Sequence, residues 1–153
     1  MADVDILNRT LAVEYLGIAA YEAALGSGLL DGSTAEAARA FQSDHMKHRD
    51  LMVEQIVARG ATPVAARTAE EYAKAYPPLT TANEIVSYAI ELEATAARSY
   101  IATVAEYEDR SLALLGAEIG GVEAQHWAVL LAASGANPVP SPIIDVMAAS
   151  STR

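Results

Sequence analysis

The chain has 153 residues, a formal net charge of −10 at pH 7 and no cysteine. Its length predicts a single domain, residues 1–153, with a substantial core. The acidity disfavours nucleic acid and anionic membrane surfaces as partners. The lack of cysteine excludes disulfides, thiol catalysis and iron–sulfur clusters. No signal-peptide pattern and no bilayer-spanning apolar run is present, so we expect a cytoplasmic protein without a membrane segment.

The first half of the chain predicts a helical hairpin. Apolar side chains recur every three or four residues over a first helix of about residues 3–25 and a second of about residues 34–59. The inward-facing stripe predicted for the second helix consists of Ala38, Phe41, His45, His48, Met52 and Ile56. Ser33 and Glu36 have the spacing of a capping box at the start of the second helix, and Gly60 ends it. The link between these helices is short, which indicates an antiparallel pair.

The second half predicts another hairpin. Its helices cover about residues 82–108 and 111–134, and a proline-bearing tail follows over residues 135–153. Thr81 and Glu84 have the spacing of a second capping box. The short link again indicates antiparallel helices, and no strand pattern competes.

The connection between the two hairpins is about 20 residues long, over residues 60–80. It includes a short predicted helical turn around residues 70–76. Such a length suits one crossover along the side of a four-helix bundle, whereas an up-down-up-down bundle would not need it. The apolar segment over residues 143–149 predicts a further short amphipathic turn.

Six ionisable residues occupy positions at which the helical period requires an apolar side chain. A buried carboxylate costs several kcal/mol unless it is paired or binds a metal. Three carboxylates and three imidazoles on inner faces are difficult to explain by packing, whereas a divalent cation satisfies them directly. The predicted metal-ligand candidates are Glu14, His45, His48, Glu93, Glu123 and His126.

The spacing of these residues is duplicated. Glu14 and Glu93 are each followed seven residues later by a tyrosine, Tyr21 or Tyr100. A histidine follows each glutamate 34 or 33 residues later, and another candidate ligand precedes that histidine by three positions. Both halves also end in a similar Gly-Ala-Thr/Asn-Pro-Val segment. The repeat predicts two hairpins built on one template.

The chain resembles the ferritin-like superfamily of di-iron and di-manganese carboxylate proteins, in particular small bacterial ferritin-like domain proteins. The segments that carry the resemblance are 7–16 and 122–126, and the likeness extends over residues 5–135. It implies an all-α ferritin-like four-helix bundle in which two antiparallel hairpins are joined by a long crossover.

The resemblance also implies a role for each candidate. Glu14 and Glu93 would each ligate one metal, Glu123 would bridge two, and His48 and His126 would be terminal imidazole ligands. His45 stands where the family has a second bridging glutamate. A neutral imidazole cannot bridge two metals, and three carboxylates leave two divalent ions with excess positive charge. One iron or manganese ion, two ions with added hydroxide, and an empty site with internal hydrogen bonds therefore remain alternatives.

Three further residues have two interpretations each. Asp44 would restore a carboxylate to the site if the second helix rotated, or it is simply exposed near Lys47. Tyr21 and Tyr100 could donate hydrogen bonds to the site carboxylates or relay electrons, or they pack in the core.

Three functions follow as hypotheses. The first is a metal-dependent redox protein, with iron or manganese reacting with dioxygen or peroxide in stress protection; the sequence does not identify catalytic residues. The second is a metal-free helical scaffold or stress protein with a degenerate site. The third is iron storage, which requires a shell of many subunits. We expect a homodimer, because Ile143, Ile144, Val146 and Met147 form an apolar segment that would pack on a neighbour or fold back on its own bundle.

Overall fold

The computed structural model describes residues 2–146 and is all-α, with no strand among those residues. The described residues divide into two compact units. The first unit comprises residues 7–88, and the second comprises residues 2–6 with residues 89–146. No described helix has the length and apolar character needed to cross a membrane. The helices are α1 (Ala2–Gly26), α2 (Gly32–Ala58), α3 (Ala69–Ala73), α4 (Ala82–Thr103) and α5 (Arg110–Ala133).

In the first unit, α1 and α2 pack as the predicted antiparallel hairpin. The rings of Tyr21 and Phe41 lie 6.1 Å apart, and Thr10 Oγ1 donates to Met52 Sδ at 3.5 Å. Late residues of α1 therefore contact early residues of α2. The buried face of α2 contains the predicted stripe, with one addition at the start: Ala35, Ala38, Phe41, His45, His48, Met52 and Ile56.

One of the two predicted capping boxes is present. At the start of α4, Glu84 N–H donates to Thr81 Oγ1 at 3.2 Å, and Thr81 N–H donates to the Glu84 carboxylate at 3.0 Å. The box predicted at Ser33 is wrong, because α2 begins at Gly32 and its N-cap is Asp31, whose side chain makes no cap hydrogen bond. Ser33 already lies inside the first turn, so its hydroxyl is not at the cap position.

The connection over residues 59–81 packs on the first unit. Its short helix α3 overlaps the region predicted to form a turn, residues 70–76, and Thr68 and Glu71 cap it with a complete capping box. Asn8 of α1 accepts a hydrogen bond from Val64 N–H at 2.7 Å. Tyr72 is buried, and its hydroxyl accepts from Arg67 N–H at 3.1 Å. The link is thus an ordered segment held to α1.

In the second unit, α4 and α5 form the other antiparallel hairpin. The guanidinium of Arg98 lies 5.1 Å from the centre of the Trp127 ring, a cation–π contact. A Cβ added at Gly120 would lie 3.1 Å from Tyr100 Cβ, so the two helices approach closely at this glycine. The chain through Gly120 and Gly121 is regular α-helix. Gly120 therefore marks close packing, whereas a Cβ added at Gly121 would meet nothing within 4 Å.

The predicted end of the third long helix, near Glu108, is wrong, because α4 ends at Thr103. The Asp3 carboxylate accepts the N–H groups of Glu108 and Asp109 at 2.8 and 3.0 Å. Asp109 in turn caps α5 by accepting from Ser111 N–H at 2.9 Å. Side chains thus satisfy the backbone donors of this turn that helix carbonyls would otherwise satisfy.

The duplicated segments at the ends of α2 and α5 form the same backbone structure. Gly60 and Gly135 have φ of 70° and 79°, in the left-handed region that glycine adopts without strain. The N–H of Ala61 bonds to Ile56 O, and the N–H of Ala136 bonds to Leu131 O. Both ends are therefore Schellman motifs. The described part of the tail, up to residue 146, contains no helix, and residues 147–149 of the predicted turn lie outside the described residues.

Candidate metal site

The first unit contains a buried triad formed by Glu14 of α1 with His45 and His48 of α2. Glu14 and His45 are fully buried and His48 is nearly so. Nδ1 of His45 lies 2.8 Å from Glu14 Oε2, and Nδ1 of His48 lies 3.6 Å from the same oxygen. One potential ligand atom from each residue lies within 4.8 Å of the others. We call this set the first triad.

The two imidazoles determine the charge state of Glu14. Burial alone would raise the pKa of its carboxyl group, because a charge is poorly solvated in the core. Hydrogen bonds and charge interactions with His45 and His48 outweigh burial and lower the pKa below its ordinary value. Glu14 is therefore ionised at neutral pH. One additional proton, which would make either imidazole an imidazolium, would neutralise the triad.

The second unit contains a corresponding triad formed by Glu93 of α4 with Glu123 and His126 of α5. Both carboxylates are fully buried. Nδ1 of His126 lies 3.4 Å from Glu93 Oε2 and 3.4 Å from Glu123 Oε2. One potential ligand atom from each residue again lies within 4.8 Å of the others. We call this set the second triad.

His126 is the cation of the second triad. Burial favours its neutral form, but the hydrogen bonds and charges of Glu123 and Glu93 outweigh burial and raise the pKa to about 9. The imidazole therefore carries two protons at neutral pH.

Comparison with known proteins gives the family. The profile of the ferritin-like domain family matches residues 2–136. The chain belongs to the ferritin-like domain family. The fold is also similar to the crystal structure of a conserved hypothetical protein from Mycobacterium tuberculosis, with a TM-score of 0.77 and 21% identity over 93% of this chain and 96% of that one. No match was found among curated proteins.

The donor set of this ferritin-like chain fits a divalent metal ion in the second triad. Ligands about 2.1 Å from a metal in tetrahedral or octahedral geometry are separated by roughly 3.0–3.4 Å from one another. The two contacts of His126 with Glu93 and Glu123 have this separation and are longer than ordinary N–H···O hydrogen bonds. Carboxylate oxygen with imidazole nitrogen is a donor set suited to iron and manganese.

The first triad contains a shorter contact than either contact of His126 in the second triad. The 2.8 Å contact between Glu14 and His45 is a normal charge-assisted hydrogen bond, so these groups compensate each other directly. The two triads, which have the same spacing in sequence, therefore differ in chemistry. One contains two carboxylates and one imidazole, and the other contains one carboxylate and two imidazoles.

The structure also places the three remaining candidates. Asp44 is half-buried and its carboxylate accepts from Lys47 Nζ at 2.8 Å, while His45 occupies the buried face of α2. The ring of Tyr21 lies 5.6 Å from the ring of His45, so this tyrosine contacts the first triad directly. Tyr100 is fully buried and packs at the close approach near Gly120.

Gly17 lies beside the first triad and was not among the site residues predicted from the sequence. It lies on the buried face of α1, one turn after Glu14, and the ring of His45 occupies the space that a side chain would fill. The available signal was a glycine on an otherwise regular helical stripe, which lowers helix stability and so needs a packing or functional reason.

Proposed function

We propose that this ferritin-like protein binds one divalent metal ion, iron or manganese, through Glu93, Glu123 and His126, and that the bound ion reacts with dioxygen or peroxide. The observation that supports it is the second triad, in which two fully buried carboxylates lie 3.4 Å from a shared imidazole. An ion of this kind would supply a redox-active centre with positions open to a small oxidant.

Charge balance supports one ion in that triad. Two carboxylates carry two negative charges, which a divalent ion neutralises when His126 is a neutral ligand. Within the triad, a proton on His126 offsets only one of these two charges, whereas a divalent ion offsets both. The metal ion would therefore replace a proton on His126, and its binding should release that proton.

The first triad has a different role in the proposal. One added proton on His45 or His48 would neutralise Glu14, so this triad does not require an ion for charge compensation. All six residues remain candidate ligands from the family resemblance. The charge balance favours one ion, with ligands mainly from the second triad, over the two ions of a di-iron carboxylate protein.

Metal content tests the proposal. Protein produced in medium with added iron or manganese should contain close to one ion per chain by elemental analysis. Glu93→Gln should remove most of that metal. Glu91→Gln is the matched control, because Glu91 lies on the same helix and is exposed. Trace metal in the wild type under both conditions, or equal metal in both variants, would contradict the proposal.

The second candidate function is a metal-free helical scaffold. The direct hydrogen bond between Glu14 and His45 favours it, because buried ionisable groups then satisfy one another without a metal. On this hypothesis Glu93→Gln would leave the cellular role of the protein intact, and added iron or manganese would not raise its melting temperature.

A homodimer belongs to the same proposal. In the second unit, Leu114 and Val129 of α5 and Val139 and Ile143 of the tail expose much of their apolar surface, and Ile143 is 70% exposed. Contact with a second copy would remove such side chains from water. Light scattering coupled to gel filtration measures the mass, and a monomer at micromolar concentration would contradict the dimer.

A further inference from the structure

A pocket of about 240 Å³ lies in the first unit, where the end of α1 meets the connection over residues 59–81. α1 contributes three lining residues, α4 contributes Ile85, and the connection contributes five residues within the range 73–79. No candidate metal ligand is among these lining residues. The function proposed above therefore leaves the pocket without a role.

Prolines and local hydrogen bonds fix the wall that the connection forms. Pro77 and Pro78 restrict the backbone, because a proline ring holds its own φ near −65° and limits the residue before it. The complete capping box of α3 precedes this segment. After it, the N–H of Thr80 donates to the Glu84 carboxylate at 2.8 Å. The wall is thus ordered before any ligand binds, which lowers the entropy that binding must remove.

Small side chains keep the space open. Ala23 and Ala24 line the pocket from the last turn of α1, and Ala73 lines it from the end of α3. Each of them has only a methyl group, which cannot fill the volume between the two walls. Ala23 and Ala73 are also exposed, so the pocket reaches the surface and a ligand can enter it without unfolding the protein.

The chemistry of the lining favours an uncharged ligand. Among the described residues that line the pocket, none is acidic or basic. An ion bound there would lose water without gaining a partner of opposite charge. The alanine, proline, leucine and isoleucine side chains instead offer apolar surface, and covering that surface is favourable.

Two hydroxyl groups give the lining a limited polar character. Ser27 Oγ already donates to Ala24 O at 2.6 Å and accepts from Leu29 N–H at 3.1 Å. The ring of Tyr76 lies 5.9 Å from the ring of Tyr88, and none of the described residues forms a hydrogen bond with the Tyr76 hydroxyl. The Tyr76 hydroxyl can therefore both donate to a ligand and accept from it.

The volume corresponds to a molecule of two fused rings. An apolar cavity of about 150 Å³ is sufficient for benzene, and this pocket is larger. A planar ligand also suits a lining that contains tyrosine, because aromatic rings pack favourably against one another. A single hydrogen-bonding group on the ligand would match the single phenol of Tyr76.

We propose that this pocket binds a small, neutral, bicyclic aromatic molecule that carries one N–H or O–H group, for which indole is the probe. The proposal goes beyond the metal site and is independent of it, because neither triad contributes to the pocket. Its tests are made in the presence of a chelator.

NMR titration of the nitrogen-15-labelled full-length protein with indole tests the site. Indole should give saturable shifts with a Kd of about 1 mM or lower, as ordinary ligands of this size give. The shifted amides should lie at the end of α1, in residues 73–79 and at the start of α4. Shifts that do not saturate, or that are spread evenly over the other helices, would overturn the proposal.

Charged relatives of indole test the class of ligand. Tryptamine and indole-3-carboxylate contain the same ring system with a positive or a negative charge. Each should bind at least about tenfold more weakly than indole, because the lining compensates neither charge. Binding of either ion as tight as that of indole would show that the pocket does not select neutral molecules.

Variants locate the site within the unit. Ala73→Leu and Ala23→Leu each place a larger side chain in the pocket, and each should weaken indole binding at least about tenfold. Ala75→Leu is the matched control, because Ala75 is exposed, lies two residues after Ala73 and does not line the pocket. Tyr76→Phe should weaken binding by about 2- to 10-fold, the usual effect of one hydrogen bond between neutral groups.

Melting temperatures separate a filled pocket from a damaged fold. The three alanine positions are exposed, so these variants should melt within a few degrees of the wild type. If the two pocket-filling variants bind indole as tightly as Ala75→Leu does, the location is wrong. If Tyr76→Phe binds indole as tightly as the wild type, the hydrogen bond assigned to Tyr76 is wrong.

Discussion

The stability of the metal-free protein should depend on the protonation of His126. The pKa of this imidazole is raised from 6.5 to about 9 by Glu123 and Glu93, which outweigh the opposing effect of burial. The folded state therefore binds more protons than the unfolded state between these two values. The stabilisation is fully present below pH 6.5, and it is lost as pH rises through about 9.

The magnitude follows from the pKa difference. One pKa unit corresponds to about 1.4 kcal/mol, so a rise from 6.5 to about 9 corresponds to about 3 kcal/mol of unfolding free energy. A loss of this size would be a large fraction of the stability of an ordinary domain. It should be visible as a clear shift of the denaturation midpoint.

Urea denaturation between pH 6 and pH 10, in the presence of a chelator, measures the effect. The wild type should lose about 3 kcal/mol relative to His126→Gln over this range, because titrating groups distant from the triad contribute equally to both proteins. Proton NMR of the His126 ring gives its pKa directly. A wild-type-minus-variant difference that is flat with pH, or that rises, would refute the assignment of His126 as the cation of the second triad.

Three further outcomes are expected. Chelation should lower the melting temperature of the metal-loaded protein by about 5–10 °C, as expected when an ion present at about 100 times its Kd is removed, and added metal should restore it. Gly121→Ala should stabilise by up to about 1 kcal/mol, whereas Gly120→Ala should gain less because its Cβ meets Tyr100 at 3.1 Å. Urea denaturation should show a loss of about 2–5 kcal/mol for Leu11→Ala, and a change under about 0.5 kcal/mol for Val57→Ala, because the first is fully buried and the second is 57% exposed.

The sequence indicated the inner faces of the helices well where the apolar period was strong. On α2 the predicted stripe includes Phe41, His45, His48 and Met52, and all four are buried. The period is a local property that the tertiary contacts reinforce, so counting residues was sufficient. Ionisable groups on that stripe were likewise recognisable, because the fold of the family and the helical period both place them in the core.

Helix ends were less predictable because their hydrogen-bond partners are distant in sequence. The turn after Thr103 is held by Asp3, about one hundred residues away in the chain. No sequence pattern around residue 104 indicates that Asp3 is the partner, and the apolar period continues to Tyr107. The start of α2 was misplaced for a related reason, since Ser33 and Glu36 have the correct spacing but the N-cap is Asp31, two positions before Ser33.

The sequence alone determined the helical class, the duplicated hairpin and the six ionisable residues, because the helical period and the spacing between residues follow directly from the order of the residues. Only the tertiary structure decided that Glu14 bonds to His45 at 2.8 Å while His126 lies 3.4 Å from each of its two carboxylates. That difference arises from how closely two facing helices bring particular atoms together. It depends on features such as the missing side chain of Gly17, whose effect appears only when α2 is packed against α1.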